Sequence, residues 1–287
     1  MGAAATVTGI SARAEPASGN PLQVAIDACQ VVVAAGDAPA LRQVQQQLLQ
    51  SPRAAEALRP LLARAEALLA CRAPAGALQV LDRLSPAPGA DRQLWLLMRW
   101  QAAQAGLDHR QAADALWHLA AGDLASLAAL PLPISPTSQR PALDLLADHF
   151  EALGWSQQAA NVLVSGGGGG AVGAARLGRA AALAQELPSA QRQQLLERAV
   201  EQAAEAGAWG LVAQLLDQQI ALGDGEPWGS QAVQRRLRLS PRIDDAYGEW
   251  QLRPQPELEQ RLRSPREPGG HAATPPPTDT SSPAALP

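Results

Sequence analysis

Lysine is absent from this chain of 287 residues, and all 23 basic residues are arginine. Arginine's planar fork suits bidentate contacts with carboxylate or phosphate. A GC-rich genome with biased codon usage accounts for the same skew more simply. Tyrosine and phenylalanine occur once each and isoleucine five times, against 61 alanines and 13 valines. Residues that favour pleated sheet are therefore scarce while the best helix former dominates, which makes extensive sheet improbable. Only two cysteines are present, too few for the disulfide framework of a small secreted domain. Cys29 and Cys71 lie in apolar stretches and read as small core residues in a reducing compartment. The first twenty residues contain no basic segment followed by an apolar block, and no stretch reaches about 18 uninterrupted apolar residues. The expectation is a cytoplasmic, bacterial protein with no membrane insertion.

Charge is nearly balanced. The formal total is −4, made up of −5 over residues 1–229, +2 over residues 230–270 and −1 over the last 17 residues. No segment is basic enough to hold nucleic acid by bulk electrostatics. With 47% hydrophobic residues, the chain has enough apolar side chains for one large core or two smaller ones.

Helix signals run nearly continuously from residue 21 to about residue 239. Pro52 after Ser51, Pro74, Asp91, Asp108 and Asp123 each stand where an N-cap or first-turn residue precedes an apolar-periodic run. Leu61, Leu62, Ala65, Leu68 and Leu69 mark one buried helical face, and Leu94, Leu97 and Met98 continue a similar stripe in another helix. Breaks at Gly36, Arg72, Gly106, Gly154 and Gly207 leave only a few residues between helices, which makes successive helices antiparallel hairpins. The first three breaks are 36 and 34 residues apart and the later ones 48 and 53. The segments 131–141, rich in proline, and 165–173, rich in glycine, are the expected interruptions.

The hairpins resemble tetratricopeptide repeats, which carry a turn glycine, a small residue five positions later and a large apolar residue four after that. Gly154, Ala159 and Leu163 fit, and so do Ala77 and Leu81 counted from Arg72. Gly106 with Ala112 and Leu116 misses by one, and Gly207 is followed by Val212 and Leu216. The fold class expected is all-α, antiparallel helical hairpins stacked as a tetratricopeptide-like α-solenoid over residues 21–239. A flexible N-terminus (1–20), a charged segment (240–263) and a disordered Pro/Ser/Thr-rich tail (264–287) complete the expected organisation.

Few residues point to chemistry. Gly168, Gly170 and Gly173 satisfy the G-x-G-x-x-G spacing of a dinucleotide loop, with Glu186 near the ribose-binding position. That spacing counts only between a strand and a helix, and Pro188 stands where a second strand would begin. An inter-helix loop is the better account. His109, His118, His149 and His271 show no metal-ligand spacing. Asp114 and His118 share a helix face and read as a solvated contact rather than half of a dyad. No catalytic, cofactor-binding or metal-binding residues are expected.

Trp95, Trp100, Trp117, Trp155 and Trp209 lie in or beside helices and read as core, with a tryptophan-lined concave binding surface as the alternative. The strongest recognition candidate is the cluster Arg235, Arg236, Arg238 and Arg242, followed by Tyr247 and Trp250. It reads either as a cap that closes the helical stack or as a docking element for a protein partner. A non-catalytic scaffold or adaptor for protein-protein interaction is the first functional expectation. The alternatives are a nucleic-acid-associated regulator using Arg235–Arg242 and, less favoured, a nucleotide-binding enzyme using Gly168–Gly173.

Overall fold

The computed structural model describes residues 21–50 and 57–263. The helix start expected at Ser51 and Pro52, the N-terminal segment 1–20 and the tail 264–287 lie outside the described residues. The described residues are all-α apart from one small hairpin of strands.

The chain divides between Gly166 and Gly167 into two compact units, a boundary that falls within the glycine-rich segment. The first unit contains α1 (Pro21–Ala35), α2 (Ala38–Gln50), α3 (Leu58–Ala70), α4 (Pro74–Leu81), α5 (Ala90–Ala105), α6 (His109–Ala120) and α7 (Leu124–Ala128). Strands β1 (Pro131–Ser135) and β2 (Ser138–Pro141) follow, then α8 (Ala142–Ala152) and α9 (Ser156–Ser165). The second unit contains α10 (Gly170–Leu183), α11 (Ser189–Glu205), α12 (Trp209–Leu222) and α13 (Pro227–Leu239). A 3-10 turn (Ser240–Ile243), α14 (Ala246–Leu252) and α15 (Pro256–Arg263) continue it.

Five breaks share one backbone device. At Gly36, Arg72, Leu107, Gly154 and Gly207 the chain adopts φ between 53° and 75°. The N–H of that residue donates three positions back, and the next N–H donates five back, as in Arg72 to Leu69 O and Ala73 to Leu68 O. This is the Schellman termination, which satisfies carbonyls left open at a helix end and turns the chain back on itself. At the third break the left-handed residue is Leu107, not Gly106, whose φ is −89°. That one-residue shift explains why the spacing counted from glycine misses. Measured from Leu107, Ala112 is five positions on and Leu116 nine.

The side chains repeat with the backbone. Counted from Arg72, Leu107, Gly154 and Gly207, the residue at +5 is Ala77, Ala112, Ala159 or Val212, and the residue at +9 is Leu81, Leu116, Leu163 or Leu216. All eight are buried. Leu61, Leu96, Leu143 and Leu196 occupy the position eleven before the turn, and Leu68, Ala103, Phe150 and Ala203 the position four before it, and these too are buried. The residues at −11, −4, +5 and +9 therefore form the inward faces of four hairpins: α3–α4, α5–α6, α8–α9 and α11–α12. A small residue at +5 lets the second helix of each pair approach the first closely.

The helix starts follow local chemistry. Asp108 and Asp123 accept from the N–H groups of Gln111 and Ala125, and Pro74 opens α4, each meeting the open donors of a first turn. The proline-rich segment 131–141 is more ordered than a plain turn. Pro131 pairs with Pro141, Leu132 with Arg140 and Pro133 with Gln139 in the antiparallel hairpin β1–β2, and Leu132 tucks into the core.

The cysteines depart from expectation. Cys29 on α1 and Cys71 at the end of α3 form a disulfide, with Cα atoms 4.9 Å apart and both residues fully buried. The physical reason is that α1 packs along α3, a proximity that a separation of 42 residues does not disclose. The free-thiol reading is corrected accordingly. Among the described residues no helix is long and apolar enough to cross a membrane.

Candidate functional site

The first unit contains a groove of about 750 Å³ between α6, α8 and α9. Arg110, Ala113, Asp114 and Trp117 reach it from α6 at i, i+3, i+4 and i+7, one face of a helix. Gln158, Asn161, Val162 and Ser165 repeat that spacing on α9. The inward stripes of the same helices, Ala112 and Leu116 on α6 and Ala159 and Leu163 on α9, fix their rotation. Of the residues on the other faces, Ala113 and Val162 stay buried, while Arg110, Asp114, Trp117, Gln158, Asn161 and Ser165 are exposed along the groove.

Three aromatic rings form its floor. Phe150 is buried between Trp117, with ring centroids 6.3 Å apart, and Trp155, 5.8 Å away. Trp117 is 50% exposed and Trp155 36%. The Arg110 guanidinium lies 5.4 Å from the centre of the Trp155 ring, a cation–π contact that orients the indole. Polar groups stand beside the rings. Asn161 Oδ1 accepts from Gln157, which leaves its amide N–H groups for other contacts. The groove therefore offers flat apolar surface flanked by amides and by one charge of each sign, Arg110 and Asp114. Asp114 and His118, 3.5 Å apart and more than half exposed, form a solvated contact.

The tryptophans thus split. Trp95 and Trp100 are buried, the former donating to Leu81 O at 3.1 Å. Trp117, Trp155 and Trp209 are exposed, contrary to the core reading. Trp117 directly follows the buried Leu116, about 100° around the helix from it, while Trp155 is the N-cap of α9 and Trp209 the first residue of α12.

The fold brings His109 and His149 together although neither belongs to a sequence motif, with Nδ1 atoms 3.1 Å apart. One nitrogen donates and the other accepts, so both rings cannot be protonated on that edge. Burial, reinforced by His109, pushes the His149 pKa down to about 4. Its Nε2 is buried with no hydrogen-bond partner among the described residues.

The expected recognition cluster is largely committed to internal contacts. Arg236, 3% exposed, donates from Nε to Asp217 at 2.8 Å, from Nη1 to the Ser240 hydroxyl at 2.6 Å and from Nη2 to Asp245. Burial alone lowers the guanidinium pKa, but the two carboxylates outweigh it and hold the group protonated above its usual range. Asp245 also accepts from the Gly248 N–H, capping α14, and this bond foremost, with Arg236, holds its carboxyl below the usual range. Arg235 makes a forked contact with Glu197, 2.8 Å to each oxygen. Arg238 and Arg242 are exposed, and Tyr247 stacks on Trp250 with centroids 6.1 Å apart. Two of the four arginines are thus engaged by carboxylates rather than free to meet phosphate.

Gly168 lies between α9 and α10, and Gly170 and Gly173 in the first turn of α10, so the motif follows a helix where a dinucleotide loop requires a strand. Gly173 is needed for packing. A Cβ there would lie 2.2 Å from the Gly168 carbonyl oxygen.

No protein family matches this sequence, and no curated protein is similar to it. Among solved structures, a protein described as "Circular tandem repeat protein with novel repeat topology and enhanced subunit contact surfaces" shares 15% identity over 81% of this chain and 49% of its own, with a TM-score of 0.19. This chain thus spans about half the length of that protein, and a superposition so loose bears on neither mechanism nor partner.

Proposed function

We propose that this chain is a non-catalytic, tetratricopeptide-like repeat protein that holds an extended peptide segment of a protein in the groove between α6, α8 and α9. The observation that carries the reading is the row Trp117, Phe150 and Trp155, whose outer two rings remain exposed in a concave surface. Large aromatic rings left in contact with water raise the free energy of the unbound state, and burying them is a common source of binding energy. Flanking amides supply donors and acceptors for the backbone of an extended ligand, whose peptide groups are otherwise unpaired. The recurrent hairpin pattern supports the tetratricopeptide-like part of the reading. In it, the segment 240–263 acts as a cap joined to α12 and α13 through Arg236.

The test is a peptide array probed with the purified full chain and with a Trp117→Ala/Trp155→Ala variant of unchanged helicity. The expected outcome is a set of short peptides bound by the first and lost, at least tenfold, in the second. An array bound equally by both proteins, or by neither, refutes the reading.

A further inference from the structure

Resting on that reading, we propose that the occupant of the aromatic groove is the protein's own proline-rich segment, centred on Thr274–Pro277 within residues 269–287. Three observations support it. The first is geometric. Centroid steps of 6.3 and 5.8 Å put the outer rings of the Trp117–Phe150–Trp155 set at most about 12 Å apart, so that four polyproline residues, at about 3.1 Å each, suffice to cover them. A run of three prolines favours that backbone, because each ring fixes φ near −65° and restricts the residue before it. Proline rings then pack flat against indoles, with little ordering entropy left to lose.

The second observation is electrostatic. The groove's formal charges, Arg110 and Asp114, cancel, so it does not select a strongly charged ligand. From Gly269 to Pro287 the sequence contains one acidic residue, Asp279, and no arginine. The segments 230–268 that precede it alternate charges and match the groove less well.

The third is hydrogen bonding. A polyproline backbone leaves all its carbonyl oxygens unpaired. The Asn161 amide, whose Oδ1 already accepts from Gln157, lines the groove with N–H groups that can donate to them. Residues 264–287, beyond Arg263, are 24 in number, about 80 Å when extended. That length exceeds the ring row several times over.

The test uses a fluorescent synthetic peptide of residues 269–287 and the full chain carrying Pro275→Ala, Pro276→Ala and Pro277→Ala, which removes the resident competitor. Anisotropy is expected to show saturable binding. A peptide with the same three alanines, or the chain with Trp117→Ala and Trp155→Ala added, should bind at least tenfold more weakly. The unaltered chain should also bind the peptide more weakly than the triple-alanine chain. Competition independent of protein concentration then indicates occupancy within one molecule, and competition that grows with concentration indicates exchange between copies. Both support the proposal. Should Trp155→Ala reduce helicity by circular dichroism, Trp117→Ala alone serves, since its ring is half exposed. Binding that is absent, or indifferent to the prolines or the tryptophans, overturns the proposal. If the tail peptide fails while array peptides still require Trp117 and Trp155, this inference falls and the groove reading stands. If no peptide binds, both fall.

Discussion

Replacing Arg236 by alanine isolates the contact that ties the C-terminal segment to its helices. The side chain is buried at 3% exposure and donates to Asp217, Asp245 and the Ser240 hydroxyl. Removing one partner of a buried ion pair costs about 3–5 kcal/mol when the remaining charge is stranded. Here the discount is real, because Asp217 is 52% and Asp245 30% exposed, so both carboxylates regain water. The Ser240 hydroxyl, fully buried, does not, although it retains its bond to Arg236 O. A loss of about 2–3 kcal/mol follows. Arg238→Ala, at an exposed side chain of the same helix, should change stability by less than about 0.5 kcal/mol. The assay is urea denaturation followed by circular dichroism at low salt and in 1 M NaCl. Because Arg236 lies in the second compact unit, the loss belongs to that unit's transition. It should survive high salt, which screens exposed pairs far more than buried ones. If Arg236→Ala and Arg238→Ala prove equally mild, the arginine does not hold the segment and its role as a cap is refuted.

Further outcomes follow from the same contacts. Ending the chain at Leu239 removes Ser240 and Asp245 from Arg236, so the second unit should melt earlier, and an unchanged melting temperature would contradict the capping role. Protonation of His149 opposes folding. Its folded pKa of about 4 lies below the usual 6.5, so the neutral ring's contribution is complete above pH 6.5 and is lost as pH falls from 6.5 towards 4. At pH 5 the loss is at most about 2 kcal/mol relative to pH 7.5, and in denaturation at both pH values His149→Gln should lack that component. Reducing the Cys29–Cys71 disulfide, which closes a loop of 42 residues, should destabilise the first unit by up to about 4 kcal/mol. Non-reducing intact mass spectrometry, read beside a melt in reductant, checks both bond and effect. Gly229→Ala sets a Cβ 2.1 Å from the Gly223 carbonyl oxygen and should cost about 1–3 kcal/mol, whereas Gly210→Ala in open space within α12 should be neutral or stabilising by up to about 1 kcal/mol.

The hairpins were legible because a helix that buries one face must repeat its apolar residues at helical spacing, and because a Schellman turn favours glycine. Where glycine is replaced, the signal blurs. Leu107 adopts a left-handed φ of 56°, which leucine rarely does, and the register beside it cannot be set by searching for glycine. The groove was only half legible. Trp117 could be turned outward by its phase against Leu116, but its meeting with Phe150 and Trp155 depends on α6 packing beside α8, a long-range contact. The same holds for His109 beside His149 and for Cys29 beside Cys71. The arginine cluster was legible as a cap or docking element, but its ion-pair partners were not. Arg235 and Arg236 find Glu197, Asp217 and Asp245 on neighbouring elements, and sequence proximity among cations says nothing of the carboxylates that fold against them.

The most direct test of the groove as a binding site is fluorine NMR of the full chain carrying Pro275→Ala, Pro276→Ala and Pro277→Ala, labelled with 5-fluorotryptophan and titrated with the peptide of residues 269–287 and with the strongest array-selected peptide. Single Trp→Phe variants assign the seven resonances. The account predicts saturable shifts at Trp117 and Trp155, with the buried Trp95, Trp100 and Trp228 unmoved. Shifts confined to Trp209 or Trp250, or no shift with either peptide, would contradict it.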